Sequence, residues 1–162
     1  MRCLTDSSKI TTDIDSLRSE IRDKSVRVID VRREDDYKQD HIPTAVNLPL
    51  ANLLSDDSPE SVLKLMNNMG IDNETSVVVY DDTFGALASR VAWTFEYLGH
   101  SDVTLLETTY SNWKSLKLES DSKIPEIQHK EHTLNLQPNI LATADYLQSA
   151  KERNDVILID NR

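Results

Sequence analysis

A chain of 162 residues with 38% apolar content suits one domain with a single core and a remainder, and its net charge of −10 opposes binding to the phosphates of nucleic acid. No apolar run is long enough to span a bilayer and the N-terminus lacks the basic–apolar–small order of a signal peptide, so a soluble, cytoplasmic protein without a membrane partner is expected. The one cysteine, Cys3, excludes an internal disulfide and offers neither a CxxC nor a zinc pattern, so no metal or other cofactor is expected.

Residues 1–10 are polar. Thr11, Thr12 or Asp13 can cap a helix carrying Ile14, Leu17 and Ile21. Val26–Val31 is apolar enough for a strand inside a parallel sheet. Glu34–Asp40 predicts a short polar helical turn with Tyr37 inward, ended by His41-Ile42-Pro43, and Val46–Leu48 a second short strand. Ser58-Pro59 starts a helix, with Ser58 as cap and Val62, Leu65, Met66 and Met69 inside, and Gly70 stops it.

Ser76–Tyr80, a β-branched run, then meets Asp81-Asp82-Thr83-Phe84-Gly85 and an amphipathic segment, Ala86–Leu98. The pattern predicts strand, tight loop and helix, the last burying Leu87, Val91, Phe95 and Leu98 and closed by Gly99. Free N–H groups and the positive dipole end of such a helix suit an anion or an ionised nucleophile. The residue leaving the strand is Asp81, an acid where a nucleophile is expected. Val103–Leu106 predicts another strand and Tyr110–Leu116 a short helix with Trp113. Strands alternating with helices indicate an α/β domain whose parallel sheet is covered on both faces.

From Leu118 to Asn139 the periodicity fails and a linker is expected, with an extended piece near Thr133–Leu136. His129 and His132 lack a third ligand and are expected to face solvent. Beyond the linker, Ile140–Arg162 repeats Ile10–Arg32 at a constant offset of 130, with eight of 23 positions identical: Ile140, Asp145, Leu147, Ser149, Val156, Ile159, Asp160 and Arg162 match Ile10, Asp15, Leu17, Ser19, Val26, Ile29, Asp30 and Arg32. Self-similarity on that scale predicts the opening of a second domain, whose first strand lacks its sheet partners here; a helix and strand that merely pad the first domain is the plainer reading.

Asp30-Val31-Arg32, Tyr37 and His41-Ile42-Pro43-Thr44-Ala45-Val46-Asn47 resemble the strand-and-turn signature of the rhodanese-like domain. Val77–Asp81, Ala88–Trp93 and Tyr97-Leu98-Gly99-His100 resemble that fold's active-loop strand and the helix behind it, and Glu107–Trp113 stands where the family has an acidic residue, two glycines and a Trp. The resemblance is nearest to the tandem sulfurtransferases acting on thiosulfate or 3-mercaptopyruvate. It implies a rhodanese-like parallel β-sheet flanked by helices on both faces over residues 8–117, a linker over 118–139 and the start of a second such domain over 140–162. It further implies a non-catalytic first domain, with a Cys persulfide on the second domain passing sulfane sulfur from a small donor to cyanide or a thiol. The alternative is a stand-alone, silent module that binds or scaffolds a partner. Phosphatases sharing the fold also need a Cys and an Arg in a longer loop, which is missing.

Departures from the family are Asp40 and Thr44 at common glycine positions and Thr108-Thr109 in place of the usual pair; where glycine holds positive φ, these residues are strained or the turns differ. No catalytic residue is expected in this chain. Asp81, at the nucleophile position, is expected to accept the loop's N–H bonds itself. Cys3, at a polar tip without a helix dipole, is not expected to react. Asp30 and Arg32 share one side of the strand end and are expected to fix neighbouring loops. His41 either hydrogen-bonds a loop or, by analogy with mercaptopyruvate-type relatives, faces an interdomain cleft and assists the second domain. Arg90 is expected to pair with Asp81 or Asp82 or to face a partner domain, and Trp93, Tyr97 and Trp113 to pack in the core.

Overall fold

The computed structural model describes residues 9–159, with Cys3, Asp160 and Arg162 outside them. The strands are β1 (Thr11–Thr12), β2 (Val26–Asp30), β3 (Val46–Asn47), β4 (Ser76–Tyr80) and β5 (Val103–Leu106). They form one parallel sheet in the order β1-β5-β4-β2-β3. The helices are α1 (Ile14–Asp23), α2 (Glu34–Gln39), α3 (Leu50–Ser55), α4 (Pro59–Asn68), α5 (Ala88–Tyr97), α6 (Tyr110–Ser115) and α7 (Ala144–Ala150).

The strand alternation divides the core in two. Ile29, Val77 and Val79 face one way, onto Leu53 of α3, Val62 and Met66 of α4 and Val91 and Phe95 of α5. Val28, Val78 and Tyr80 face the other way, onto Leu17 of α1, Tyr37 of α2 and Tyr110 and Trp113 of α6. The expected α/β sheet covered on both faces is therefore what forms. β2 and β4 pair over their full length, with Asp30 opposite Tyr80. This register brings the two central strands to the same carboxyl edge, where parallel α/β sheets place their sites.

Several details differ from expectation. Thr11 and Thr12 form an edge strand against Leu105 and Leu106, leaving Asp13 as the α1 cap through its bond from Ser16 N at 2.8 Å. Ser58 caps α4 by position but its hydroxyl does not bond the helix; Asp56 instead accepts from Ser58 N, at 3.2 Å, and from the Ser61 hydroxyl. α3 was not marked by a clear start signal. Thr44 lies at φ 68, so a β-branched residue holds a left-handed turn, whereas Asp40 at φ −166 is unstrained.

The linker is not free. His41 and Asp121 exchange main-chain bonds at 2.8 and 2.9 Å, and Asn135 N and Gln137 N donate to Leu98 O and Tyr97 O at 3.0 and 2.8 Å. His129 is exposed and bonds Glu131, but His132 is buried, contrary to its expected solvent exposure. The expected extended piece follows this path without pairing as a strand. Val156–Ile159, expected as a strand, has none, and Ile157 and Ile159 are 84% and 85% exposed.

Candidate functional site: the loop after the central strand

At the carboxyl end of β4 the chain turns through Asp82–Leu87 before entering α5. Phe84 and Gly85 lie at φ 54 and 84. These two left-handed residues reverse the chain so that successive N–H groups point inward toward one spot. That spot holds the Asp81 carboxylate. Its Oδ1 accepts from Thr83 N and Gly85 N, both at 2.9 Å. Its Oδ2 accepts from Leu87 N at 2.8 Å, Ala88 N at 2.9 Å and the Thr83 hydroxyl at 2.8 Å. The side chain is only 2% exposed. Burial would raise its pKa, but the bonds from Ala88, Gly85 and Thr83 outweigh that and hold it below the ordinary carboxylate value.

The loop is also tied to α6. Tyr110 N donates to Asp81 O at 3.1 Å, and the Asp82 carboxylate accepts from Ser111 N at 2.8 Å and the Ser111 hydroxyl at 2.6 Å. Asp82 thus satisfies a free donor in the first turn of α6. Arg90 contacts neither acid, contrary to one expectation. It pairs with Asp57 at 3.1 Å, donates to the Thr94 hydroxyl and lies over Trp93, 5.0 Å from its ring centre. Arg90 stands in the first turn of α5, and its side chain leaves the loop toward Asp57 between α3 and α4.

Beside this loop, at the end of β2, Asp30 and Arg32 form a forked pair. Arg32 Nε lies 3.1 Å from both Asp30 oxygens and Nη2 lies 2.6 Å from Oδ2. Both side chains are buried. Arg32 Nη2 also donates to Asp40 O at 2.7 Å, and its guanidinium stacks 3.6 Å from the Tyr110 ring centre. Desolvation works against the Arg32 charge, but Asp30 outweighs it and raises the pKa. The Tyr80 hydroxyl donates to Asp30 and accepts from Ile42 N at 3.1 Å. Burial, and then the Asp30 charge, push that phenol well above its ordinary value. Asn47 Nδ2 closes the group by donating to Asp30 O and Arg32 O, both at 3.0 Å. Apart from the Tyr110 ring at the start of α6, every partner is a loop or a strand end, so the cluster fixes the carboxyl edge on which the Asp81 loop stands.

His41 has no exposed face. Its Nδ1 lies 2.8 Å from Tyr37 O and its Nε2 3.3 Å from Lys123 O, and the ring stacks on Tyr37 at 4.0 Å. Trp113 is buried, while Trp93 and Tyr97 stack on one another at 5.6 Å and are half-buried. The Tyr80 hydroxyl, Asn47 and Thr83 were not singled out in the sequence. Tyr80 was legible only as a strand residue, because its polar tip matters through a contact 50 positions away. Among the described residues no group of three or more His, Cys, Asp or Glu is placed to hold a metal ion, and no helix is long and apolar enough to cross a membrane.

Chemically, the loop is an anion cradle already filled by its own carboxylate. Its four main-chain donors would equally suit a thiolate or a transferred anionic group.

Comparison with known proteins agrees with this architecture. Residues 13–116 match the family model described as the rhodanese-like domain. The chain is 29% identical over 168 residues to mouse thiosulfate sulfurtransferase, an alignment covering 91% of this chain and 56% of that protein. It is 30% identical over 135 residues to a Corynebacterium glutamicum thiosulfate sulfurtransferase, covering 78% and 45%. The chain therefore spans about half the length of these curated relatives. Among solved structures, the 3-mercaptopyruvate sulfotransferase SseA of Escherichia coli superposes with a TM-score of 0.78 at 22% identity, covering 90% of this chain and 62% of that one. The human single-domain sulfurtransferase TSTD1 superposes with a TM-score of 0.54 at 22% identity, covering 65% and 96%. With the family model spanning most of the chain and the sheet order, cradle loop and edge cluster in place, this chain belongs to the rhodanese-like domain family, homologous to the thiosulfate and 3-mercaptopyruvate sulfurtransferases.

Proposed function

We propose that residues 13–116 form a catalytically silent rhodanese-like module, one that binds or supports a partner instead of carrying sulfur itself. The observation that carries this reading is the Asp81 carboxylate, which occupies four main-chain donors of the loop. Sulfane-sulfur transfer needs a thiolate that attacks the donor and holds a persulfide. A carboxylate is a poor nucleophile toward sulfur, and its charge repels thiosulfate. The sole cysteine of the chain, Cys3, lies outside the described residues. The test is turnover: the chain incubated with thiosulfate or 3-mercaptopyruvate and cyanide should yield no thiocyanate above background. Turnover that survives Cys3→Ser would overturn the reading.

A second reading has its own support. The repeat at offset 130 extends to the helix caps, because Thr143 Oγ1 accepts from Tyr146 N at 3.1 Å as Asp13 Oδ1 does from Ser16 N. The exposed apolar run at 157–159 has the composition of a strand that pairs elsewhere. With curated relatives about twice as long, these features support residues 140–162 as the opening of a second rhodanese-like domain. On this reading the chain is the N-terminal part of a tandem sulfurtransferase, its partner is that second domain in cis, and the persulfide forms on a cysteine there. His41 would then assist the chemistry only after the 121–123 segment moved off its ring. The discriminating observation is the reading frame beyond Arg162: a strand ending in a Cys-bearing loop before a helix supports the tandem protein, and its absence leaves the silent module.

A further inference from the structure

On the opposite edge of the sheet from the cradle, residues 127–137 cross the C-terminal ends of α4 and α5 as a strap. The crossing is close. A Cβ on Gly70 would meet Gln128 O at 2.8 Å, and one on Gly99 would meet Asn135 O at 2.4 Å. Main-chain and amide bonds hold the strap: Lys130 N to Asn67 O at 3.1 Å, His132 N to Asn67 Oδ1 at 2.9 Å and Thr133 N to Asn73 Oδ1 at 2.7 Å.

In the middle of the crossing two imidazoles meet. His100, just past α5, is fully buried, and His132 of the strap is 4% exposed, with ring centres 5.4 Å apart. Neither ring nitrogen of His100 nor Nδ1 of His132 has a hydrogen-bond partner among the described residues. Two neutral rings fit such a site as packing. Two imidazolium ions do not, since they repel each other and burial penalises both charges; the main chain at Asp102 and Thr75 offsets this only in part at His100.

We propose that His100 and His132 form an acid-sensitive latch, which keeps the 127–137 strap on the domain near neutral pH and releases it when the imidazoles take up protons. The charged groups around the pair moderate this without cancelling it. Asp102, from the α5–β5 connection, favours charge on His100 through its main chain and then its carboxylate, the Thr75 main chain adds to this, and Asp72, from the α4–β4 connection, favours charge on His132. Asp72 is already paired with Lys130 at 3.0 Å, and Glu131 with His129 at 2.7 Å. Arg27 adds positive charge beside Gln128 at Gly70. Burial outweighs the two acids, so both histidines sit below their ordinary pKa, His100 further through the charge of His132.

The sign follows from linkage. In the open strap His132 regains water and titrates near the free value of about 6.5, and His100 loses the part of its burial that the strap supplies, so opening takes up protons as the pH falls through that range. The opening constant then rises by up to about tenfold per pH unit for one histidine and about a hundredfold for two, and levels off below the closed-state values.

Amide hydrogen exchange of the whole chain, corrected for the intrinsic pH dependence of exchange, tests this. Between about pH 7.5 and about pH 5, residues 128–137 should lose at least about tenfold in protection while β2 and β4 keep theirs. In His100→Phe/His132→Leu the strap's protection should be flat with pH. If that variant does not fold, the ring-proton titration of the native chain decides: both rings should titrate below about 6.5 together with strap exchange. Unchanged strap protection, or strap and sheet opening together, would overturn the latch.

Discussion

Replacing Asp81 with Ala removes five hydrogen bonds at once, four from main-chain N–H groups and one from Thr83 Oγ1. Each charge-assisted bond contributes about 1.5–3 kcal/mol in isolation, but they are not additive. The donors at Thr83, Gly85 and Leu87 are partly buried and regain water once the carboxylate is gone, whereas the Ala88 N–H is buried and stays orphaned. The expected loss is therefore about 2–4 kcal/mol. With a urea dependence of about 1–3 kcal/mol per molar, the midpoint should fall by about 1–2 M at unchanged slope. The loss should also be pH-dependent. The folded pKa of Asp81 lies below its unfolded value of about 3.9, so its contribution is complete above that value and disappears as the pH falls through the folded one. The two denaturation curves should accordingly converge in acid. Acetate or formate, entering the vacated cradle, should restore part of the midpoint in the variant and none in the native chain. A midpoint shift below about 0.3 M near neutral pH would show that the donors are equally well served by water and would refute the reasoning.

Two further substitutions probe the frame around the cradle. Arg32→Lys keeps the charge but loses the fork to Asp30, the bond to Asp40 O and the stacking on Tyr110, and should cost about 2–4 kcal/mol in thermal or urea unfolding; a native-like midpoint would mean the pair is replaceable by a point charge. Gly99→Ala places a Cβ against Asn135 O at a φ of 96, so about 2–3 kcal/mol should be lost and strap exchange should accelerate already at neutral pH; an unaffected strap would show that the crossing yields easily.

The sheet and its covering helices were legible because their signals are local. The β-branched runs of β2 and β4, the Pro59 start and Gly70 stop of α4 and the heptad-like spacing of Val91, Phe95 and Leu98 each reside within a few residues. The Asp81 cradle was legible for the same reason, since the acid and the donors it meets lie within seven positions. The rest depends on distant partners. Polar composition suggested a free linker, but its main chain finds acceptors at Asn67, Tyr97 and Leu98, and His132 finds a pocket next to His100. Sequence proximity favours a pairing of Arg90 with Asp81 or Asp82 that does not form, because the side chain leaves α5 toward Asp57. Thr44 shows the opposite case: the departure from glycine was visible, yet only the backbone reveals that Thr tolerates the left-handed turn while Asp40 avoids it.

Stability and the proposed silence at the carboxyl edge share one physical argument. A loop whose N–H groups converge on a point is costly to fold unless something negative occupies that point. In a catalytic version of such a loop the occupant is a single thiolate sulfur, and donors it leaves unused can meet the oxygens of an incoming substrate. The two oxygens of Asp81 reach four N–H groups and a hydroxyl within 2.8–2.9 Å, leaving those groups no demand for a ligand. The same bonds that favour the folded loop thus compete with a sulfur-bearing anion for those donors. Asp81→Cys should move both properties together: a less stable loop, and a thiol at position 81 whose alkylation rate rises at lower pH than that of a free cysteine. A cysteine there with an ordinary alkylation profile would separate the cradle's geometry from its electrostatics and break the link argued between them.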